Sequence, residues 1–386
     1  MRIRYGAEKN GGLIKKAVVY TQDEHGINFA DVDPDAVSIT DRLRSNGFET
    51  YIVGGAVRDL ILGKKPKDFD IVSAASPSRI KKIFCNARII GRRFRLVHVY
   101  FGPKIFEVST FRSLKDGPTS NTFGTVEEDV LRRDFSLNAL FYEPRRQIVV
   151  DYVGGMKDLR NRKIRPIIPL SKIFTDDPVR MIRAVKYAVT TGCRLPFFLR
   201  LKIKRQARLL LPVSPSRLTE EIFKIIHSPF AAGIVENLEL LGLYTYLQPN
   251  ASALMKENPS FRAGYLRGLG EIPSGGSGGE TLAALIRDYL EDFIDWDAGT
   301  AENYKNAFLA GRRFVLPMNP PRLELDRAVR LIFNEHGINI KKFRFFERGR
   351  MGAVIGAAAE NPVRENTEET KKPVRRRRRH RKKGDL

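Results

Sequence analysis

"VGGAVRDLILGKKPKDFDIV", residues 53 to 72, decides how the rest of the chain is read: an apolar strand end runs into a double glycine, and two acids close the segment. Four basic and three acidic residues share these twenty positions. A phosphate cradle, a metal site and a strand with a charged loop are all compatible with that composition. Gly54 and Gly55 let backbone N–H groups approach phosphate oxygens closely, and Arg58 can clamp a phosphate through two parallel hydrogen bonds. The spacing is not that of a P-loop, because no Gly-Lys-Ser/Thr follows. A tight strand-to-helix turn would look the same. Asp68 and Asp70 in "KDFDIV" open an apparent strand, where residues two apart share a face, so both carboxylates can converge while Phe69 points into the core. Two hard oxygen ligands beside a phosphate-binding loop suit Mg²⁺. Solvated acids at a strand end give the same pattern.

Outward from this stretch, the chain predicts a helix over Val37 to Asn46 and a strand in "FETYIVGG", then strands in "ARIIG", "RLVHVYFG", "KIFEVSTFR" and "QIVVDYVGG". That is a mixed sheet with few long helices between its strands. From Asp176 the period changes to three and four residues in "DPVRMIRAVKYAVTTG", "SRLTEEIFKIIHSP", "AAGIVENLELLGLYTYL" and "ETLAALIRDYLEDFIDW". The expected fold class is therefore α+β: a polar lead-in over 1–36, loosely ordered, a mixed-sheet head over 37–170, and an all-helical body over 171–359. A flexible insertion is expected at Ser274 to Gly279, and a disordered basic tail over 360–386.

Two further acids stand near the opening stretch in character. Glu107 lies among β-branched and aromatic residues, where a buried carboxylate needs a partner that a metal could supply. Asp134 in "LRRDFSLNALFY" follows Arg132 and Arg133, with Asn138 one helical turn later; a salt-bridged helix N-terminus explains it equally well. In "TDDPVRMIRAVKYA", Asp177 before Pro178 is the expected start of a helix, and capping alone accounts for both. Arg180 and Arg183 then follow at three-residue spacing, opposite an apolar face of Met181, Ile182, Val185, Ala188 and Val189.

Taken in order and spacing, "VGGAVRDLILGKKPKDFDI", "RRDFSLNAL", "DYVGGMKDLRNRKIR" and "DDPVRMIRA" resemble the class II tRNA nucleotidyltransferase/bacterial poly(A) polymerase family over about residues 40 to 250. "ARIIGRRFRLVHVYFGPKIFEVSTFR" and the Arg-rich ending look like the bacterial poly(A) polymerase I branch. The resemblance implies a polymerase-β-like nucleotidyltransferase head and addition of AMP from ATP to RNA 3′ ends, a tailing that promotes RNA decay. It implies Mg²⁺ as cofactor, two ions in the family's mechanism, held by Asp68 and Asp70, with Asp134 a further active-site acid. Gly54, Gly55 and Arg58 would hold the triphosphate, assisted by Arg132 or Arg133. The family's nucleotide-reading motif falls on Asp176, Asp177 and Arg180, with Arg183 in support. Two departures stand out: Asp176 occupies a position where the family has Glu, and Lys186 one where many members have Arg. A carboxylate and an arginine can read the amino group and ring nitrogen of adenine or of cytosine alike. The alternatives are thus a CCA-adding tRNA nucleotidyltransferase and a non-catalytic RNA-binding protein on the same fold.

Charge agrees with a polyanionic partner. The 68 Lys+Arg against 44 Asp+Glu give +24, and the ten positive charges between Lys371 and Lys383 leave about +14 on the remainder. Cys85 and Cys193 form no disulfide framework, the five histidines form no zinc pattern, and no run reaches membrane-spanning length. A cytoplasmic home and no membrane partner are expected. Arg375, Arg376, Arg377, Arg378 and Arg379 are the candidate RNA tether. Deleting residues 371 to 386 should weaken RNA binding and lower the slope of log affinity against log salt by about one for every phosphate no longer neutralised. A salt titration with an unchanged slope would speak against the tether.

Overall fold

The computed structural model describes residues 2–7, 13–91, 96–113, 122–272, 276–296 and 301–338. The chain divides into one unit of residues 1–340 and a second of 341–386. The second lies outside the described residues, and the expected tail with arginines 375–379 lies there too.

The head is a nine-stranded sheet in the order β1-β2-β9-β8-β3-β4-β7-β6-β5. Its strands are β1 (Arg2–Ala7), β2 (Leu13–Tyr20), β3 (Thr50–Val53), β4 (Asp70–Ser73), β5 (Ala87–Ile90), β6 (Leu96–Phe101), β7 (Lys104–Thr110), β8 (Leu140–Glu143) and β9 (Ile148–Asp151). Every pairing is antiparallel except β4 with β7. The four residues of β3 are all buried, as a central strand covered on both faces should be. On one face Tyr51, Val53, Val72, Phe111, Phe141 and Val150 gather with Val126 and Val130 into a core.

The opening stretch folds back on itself. β3 ends at Val53, Gly54 turns the chain, the Gly55–Ile61 helix carries it away, and β4 returns antiparallel so that Val53 faces Asp70. Gly54 has φ +72° and ψ −132°, a region that strains any residue with a Cβ.

Three expectations change here. In the expected loose lead-in over 1–36, the described residues carry regular structure: β1 and β2 extend the sheet beyond β9, and Asp33 caps a helix at Pro34–Ser45. Glycines and lysines around "LIKKAVVY" hide a strand whose stability comes from its neighbour rather than from its own pattern. In Ser274–Gly279, residues 274 and 275 lie outside the described set, but Ser277 caps the Gly278–Phe293 helix through a capping box with Glu280. Gly279 lets that helix press onto Arg327, where a Cβ would collide. Lastly, "AAGIVENLELLGLYTYL" is two helices, Ala231–Leu240 and Tyr244–Leu247, separated at Gly242 with φ +70°.

From Ile173 onward every described element is helical. The Val179–Thr191 helix buries Met181, Ile182, Ala184 and Val185, and the Pro215–Ile226 helix buries Leu218, Ile222, Ile225 and Ile226. These are the i, i+3, i+4 stripes that a bundle needs.

Between the sheet and these helices sits the "DYVGGMKD" turn. Buried Asp151 accepts the backbone N–H groups of Val153 (3.1 Å), Gly154 (2.8 Å), Gly155 (3.0 Å) and Met156 (3.0 Å), which fixes the start of the Gly155–Arg160 helix. Gly155 then packs against the Ser136 carbonyl so closely that a Cβ would overlap it. Asp158 accepts from Ser136 Oγ at 2.6 Å and Arg165 Nε at 2.7 Å. Residues 134–138 are thereby braced from below. Asp151→Ala should destabilise the fold by at least ~2 kcal/mol in urea unfolding, since hydrogen bonds to a charged acceptor contribute about 1.5–3 kcal/mol each and the buried donors lose their partner.

Candidate active site

A cavity of about 670 Å³ opens between the sheet and the N-terminus of the Val179–Thr191 helix. Gly54, Gly55, Asp70, Arg132, Arg133 and Asp134 line it from the head. Asp176, Asp177, Arg180 and Arg183 line it from the helical side. Nine of the sequence candidates for catalysis or nucleotide binding, and Asp176 with them, therefore meet in one space.

Topology explains the acidic wall. Val53 faces Asp70 across β3 and β4, so the Gly54 turn sits beside that carboxylate; a Cβ on Gly54 would stand 3.6 Å from Asp70 Oδ2 and 4.0 Å from Arg133 Nη1. Ile71 registers with Val108 in the parallel β4–β7 pair, so Asp70 and Glu107 stand side by side. The Asp70 carboxyl is open to the cavity but walled by protein elsewhere. Burial pushes its pKa up, as do Glu107 and Asp68, while Arg133 opposes the shift. Glu107 itself is exposed, pairs with His98 at 3.6 Å and does not line the cavity, so the expectation of a buried acid needing a metal does not hold for it. Asp68 also departs from expectation. β4 begins only at Asp70, and Asp68 is an exposed loop residue on the rim of a neighbouring hollow lined by Lys64, Lys65 and Lys67. Among the described residues no three acids, histidines or cysteines already form a metal cage. The donor chemistry still fits Mg²⁺, which takes one or two carboxylates and completes its shell with water and phosphate oxygens. A cation would also relieve the mutual repulsion that Asp70, Asp68 and Glu107 impose.

Between the acids and the helix lies a crowd of cations. Arg132 is pushed down to about 10, by burial first and then by Arg112, Arg133 and Arg180, with Asp129 opposing. Burial lowers Arg112 and Arg180 as well. Arg133 is held by Asp129 through Nε (3.2 Å) and Nη2 (2.9 Å), and donates to the Asn138 carbonyl at 3.2 Å. Guanidinium groups pressed together against their own repulsion form a site that an incoming polyanion stabilises. Arg112 was missed from sequence because it sits at the end of β7 with no motif of its own.

Arg58 plays a different part from the one expected. It is buried, its Nε and Nη2 engage Asp59 Oδ1 at 2.8 Å, and its Nη1 donates to Asn138 Oδ1 at 2.8 Å. Its guanidinium lies 5.2 Å over the Tyr187 ring, and it does not line the cavity. In this arrangement it props the glycine turn and Asn138.

Asp134 is not at a helix N-terminus. It follows the Val126–Leu131 helix and precedes a 3₁₀ turn at Ser136–Asn138, which replaces the helical turn expected there. Its Oδ1 accepts from Phe135 N at 2.8 Å and its Oδ2 pairs with Arg183 Nη2 at 2.9 Å. Arg183 also donates to Tyr187 Oη, from Nε at 3.2 Å and Nη2 at 3.0 Å. On the helix start, Asp177 Oδ1 accepts from Val179 N at 3.1 Å, so it does cap. Its Oδ2 accepts from Arg217 Nη2 at 2.7 Å, and Arg180 donates to the Ile173 carbonyl at 3.2 Å. Arg217, from the Pro215–Ile226 helix, was legible only as one more basic residue. Lys186 is turned away onto Glu221, 3.3 Å distant.

The family model described as "Poly A polymerase head domain" matches residues 50–165, and that described as "Probable RNA and SrmB- binding site of polymerase A" matches 199–255. The poly(A) polymerase I of Escherichia coli O157:H7 is 42% identical over 250 residues, covering 61% of this chain and 53% of its own length. By these matches the chain is similar to the tRNA nucleotidyltransferase/poly(A) polymerase family, over its head and the helical segment at 199–255. The CC-adding tRNA nucleotidyltransferase of Halalkalibacterium halodurans is 35% identical over 246 residues, 64% of this chain and 62% of its own. The CCA-adding enzyme of Bacillus stearothermophilus, solved with CTP, shares the fold at a TM-score of 0.56 and 27% identity, over 79% of this chain and 83% of that one. The chain spans about half the length of the curated poly(A) polymerases it matches. Arg58→Met should lower stability by about 2–4 kcal/mol, because Asp59 and Asn138 lose a buried partner. Unfolding curves matching the unmodified chain would show that these contacts do not support the fold.

Proposed function

We propose that the chain is a template-independent nucleotidyltransferase that transfers AMP from ATP to RNA 3′ ends. The carrying observation is the single cavity with Asp70 on one wall, Asp177 and Arg180 on the other, and arginines between. Its volume of about 670 Å³ lies in the range of small-molecule ligand sites. At the helix end, the Asp177 carboxylate accepts from the amino group of the base and Arg180 donates to the ring nitrogen. Arg217 holds the carboxylate in place at 2.7 Å and so restricts what it can accept. In the middle, Arg112, Arg132 and Arg133 receive the triphosphate, and the N–H groups beside Gly54 and Gly55 approach it closely. At the acidic wall, the RNA 3′-oxygen bonds to the α-phosphorus as the bond to the β-phosphate oxygen breaks and pyrophosphate leaves. Mg²⁺, held by Asp68 and Asp70 when bound, would supply activation of the hydroxyl and neutralisation of the leaving group. The charge of +24 supports RNA as the polyanion, and we place the work in the cytoplasm as the compartment of that substrate; no described helix is long and apolar enough to cross a membrane.

CCA addition to tRNA is the second reading, supported by the likeness to CC- and CCA-adding enzymes. One assay separates the two: tRNA lacking its 3′ end is offered with ATP and CTP, and the additions are sequenced. A long A-only extension is expected; two cytidines and one adenosine would replace the reading with CCA addition, and no Mg²⁺-dependent incorporation would leave a non-catalytic RNA binder. Asp70→Ala and Asp68→Ala should each reduce extension by orders of magnitude, on the ~10²–10³ scale of removing one charge-stabilising group, while the thermal melt stays cooperative. Arg217→Ala should raise the KM for ATP and loosen base choice by freeing Asp177. An unchanged ratio of ATP to CTP use would remove Arg217 from base selection.

A further inference from the structure

The helix at Phe197–Gln206, beside the nucleotide-reading helix, carries a surface that the cavity does not use. Phe197 and Phe198 are 70% and 72% exposed, and their rings meet edge to face with centroids 5.5 Å apart. Two adjacent large aromatics left in water at a helix start need an occupant. Leu199 and Ile203 anchor the opposite side of the helix in the core, so the aromatics cannot turn inward. At helical spacing Lys204 falls on the Phe197 face, Arg200 and Arg205 flank it, and Arg208 follows in the 3₁₀ turn at Ala207–Leu210, all four exposed. From Pro178 to Thr219 the chain has ten Lys and Arg and no Asp or Glu. The acids that follow are engaged elsewhere: Glu220 with Lys224, and Glu221 with Lys186 and Lys224.

We propose that Phe197 and Phe198 form a base-stacking platform for single-stranded RNA, with Arg200, Lys204, Arg205 and Arg208 tracking its phosphates. Exposed rings interleaved with cations are what a sequence-tolerant single-strand site requires. The Val179–Thr191 helix starts at the cavity and rises about 20 Å over its thirteen residues, and the Phe197–Gln206 helix follows it in the chain. It engages the RNA several nucleotides upstream of the reacting 3′ end and holds the product between additions. The two phenylalanines precede the 199–255 family match, and the inference rests on the reading of RNA as substrate.

The test is equilibrium binding of a fluorescent oligoadenylate to the full chain, without ATP. Phe197→Leu with Phe198→Leu keeps the apolar volume and removes the π-faces. It should weaken binding at least ~10-fold, since one stacked base contributes roughly 1–3 kcal/mol. Phe→Trp at both positions should restore it. Lys204→Gln, Arg205→Gln and Arg208→Gln together should lower the salt slope by about two, at ~0.7 per phosphate contact on a single strand. Extension of a primer too short to reach both the cavity and the platform should be untouched by the leucine pair, while extension of a long one becomes distributive. Binding of the leucine pair equal to the unmodified chain overturns the platform, as does aromatic-dependent binding to anionic phospholipid vesicles with RNA affinity unchanged. Because binding is read without catalysis, a chain that transfers no AMP yet loses RNA affinity in the leucine pair sinks the transferase reading and keeps the platform. A chain that extends RNA with the leucine pair fully processive does the reverse.

Discussion

The ion pair between Asp134 and Arg183, 2.9 Å across the junction of sheet and helices, is the contact on which the rest of the site depends. Asp134 belongs to the braced turn that carries Asn138, and Arg183 belongs to the helix that carries Asp177 and Arg180. Asp134 is buried while the Arg183 side chain stays 36% exposed, so desolvation of the carboxylate and solvent screening of the guanidinium both reduce the Coulomb gain, and the pair contributes more to geometry than to net stability. Tyr187 reinforces it by accepting from Arg183 while Arg58 lies over its ring. Through this chain of contacts the glycine turn, the acids and the base-reading helix hold one spacing.

Around that joint the cavity stores electrostatic strain. Asp70 is raised by burial and by its acidic neighbours, and Arg132 is lowered by burial and by other arginines. Asp70 feels its acidic neighbours, and the arginines between it and the Val179–Thr191 helix feel one another. A ligand that brings a cation to the acids and a polyphosphate to the arginines relieves both at once. The same arrangement explains why Asp151 and Gly155 lie so far from the chemistry and still matter: they hold residues 134–138 rigid against this repulsion.

Most of the central elements were legible from pattern. The β3 run, the strands through β7 and the Val179–Thr191 helix announce themselves by alternation or by three- and four-residue spacing. The failures have physical causes. β1 and β2 owe their strand state to pairing with β9, which no local pattern carries. "SLNALFY" divides into a 3₁₀ turn and β8 because Gly155 and Asp158 capture Ser136 from another part of the chain. Arg58 was chosen for its position after two glycines, yet Asn138, eighty residues later, takes its donor.

By itself the sequence determined the residue types and their order: a glycine turn that tolerates positive φ, two acids two apart, an aspartate and an arginine one helical turn apart, and a long acid-free basic run. Those are local properties, set by backbone sterics and side-chain chemistry. Only the tertiary structure decided which of them share a space. The β3–β4 register brought Gly54 to Asp70, and the parallel β4–β7 pair set Glu107 beside it, exposed. Packing of the Pro215–Ile226 helix delivered Arg217 to Asp177, and the buried contacts of Arg58 withdrew it from the cavity. Distance along the chain says nothing about such meetings, because they follow from strand pairing and helix packing over long loops.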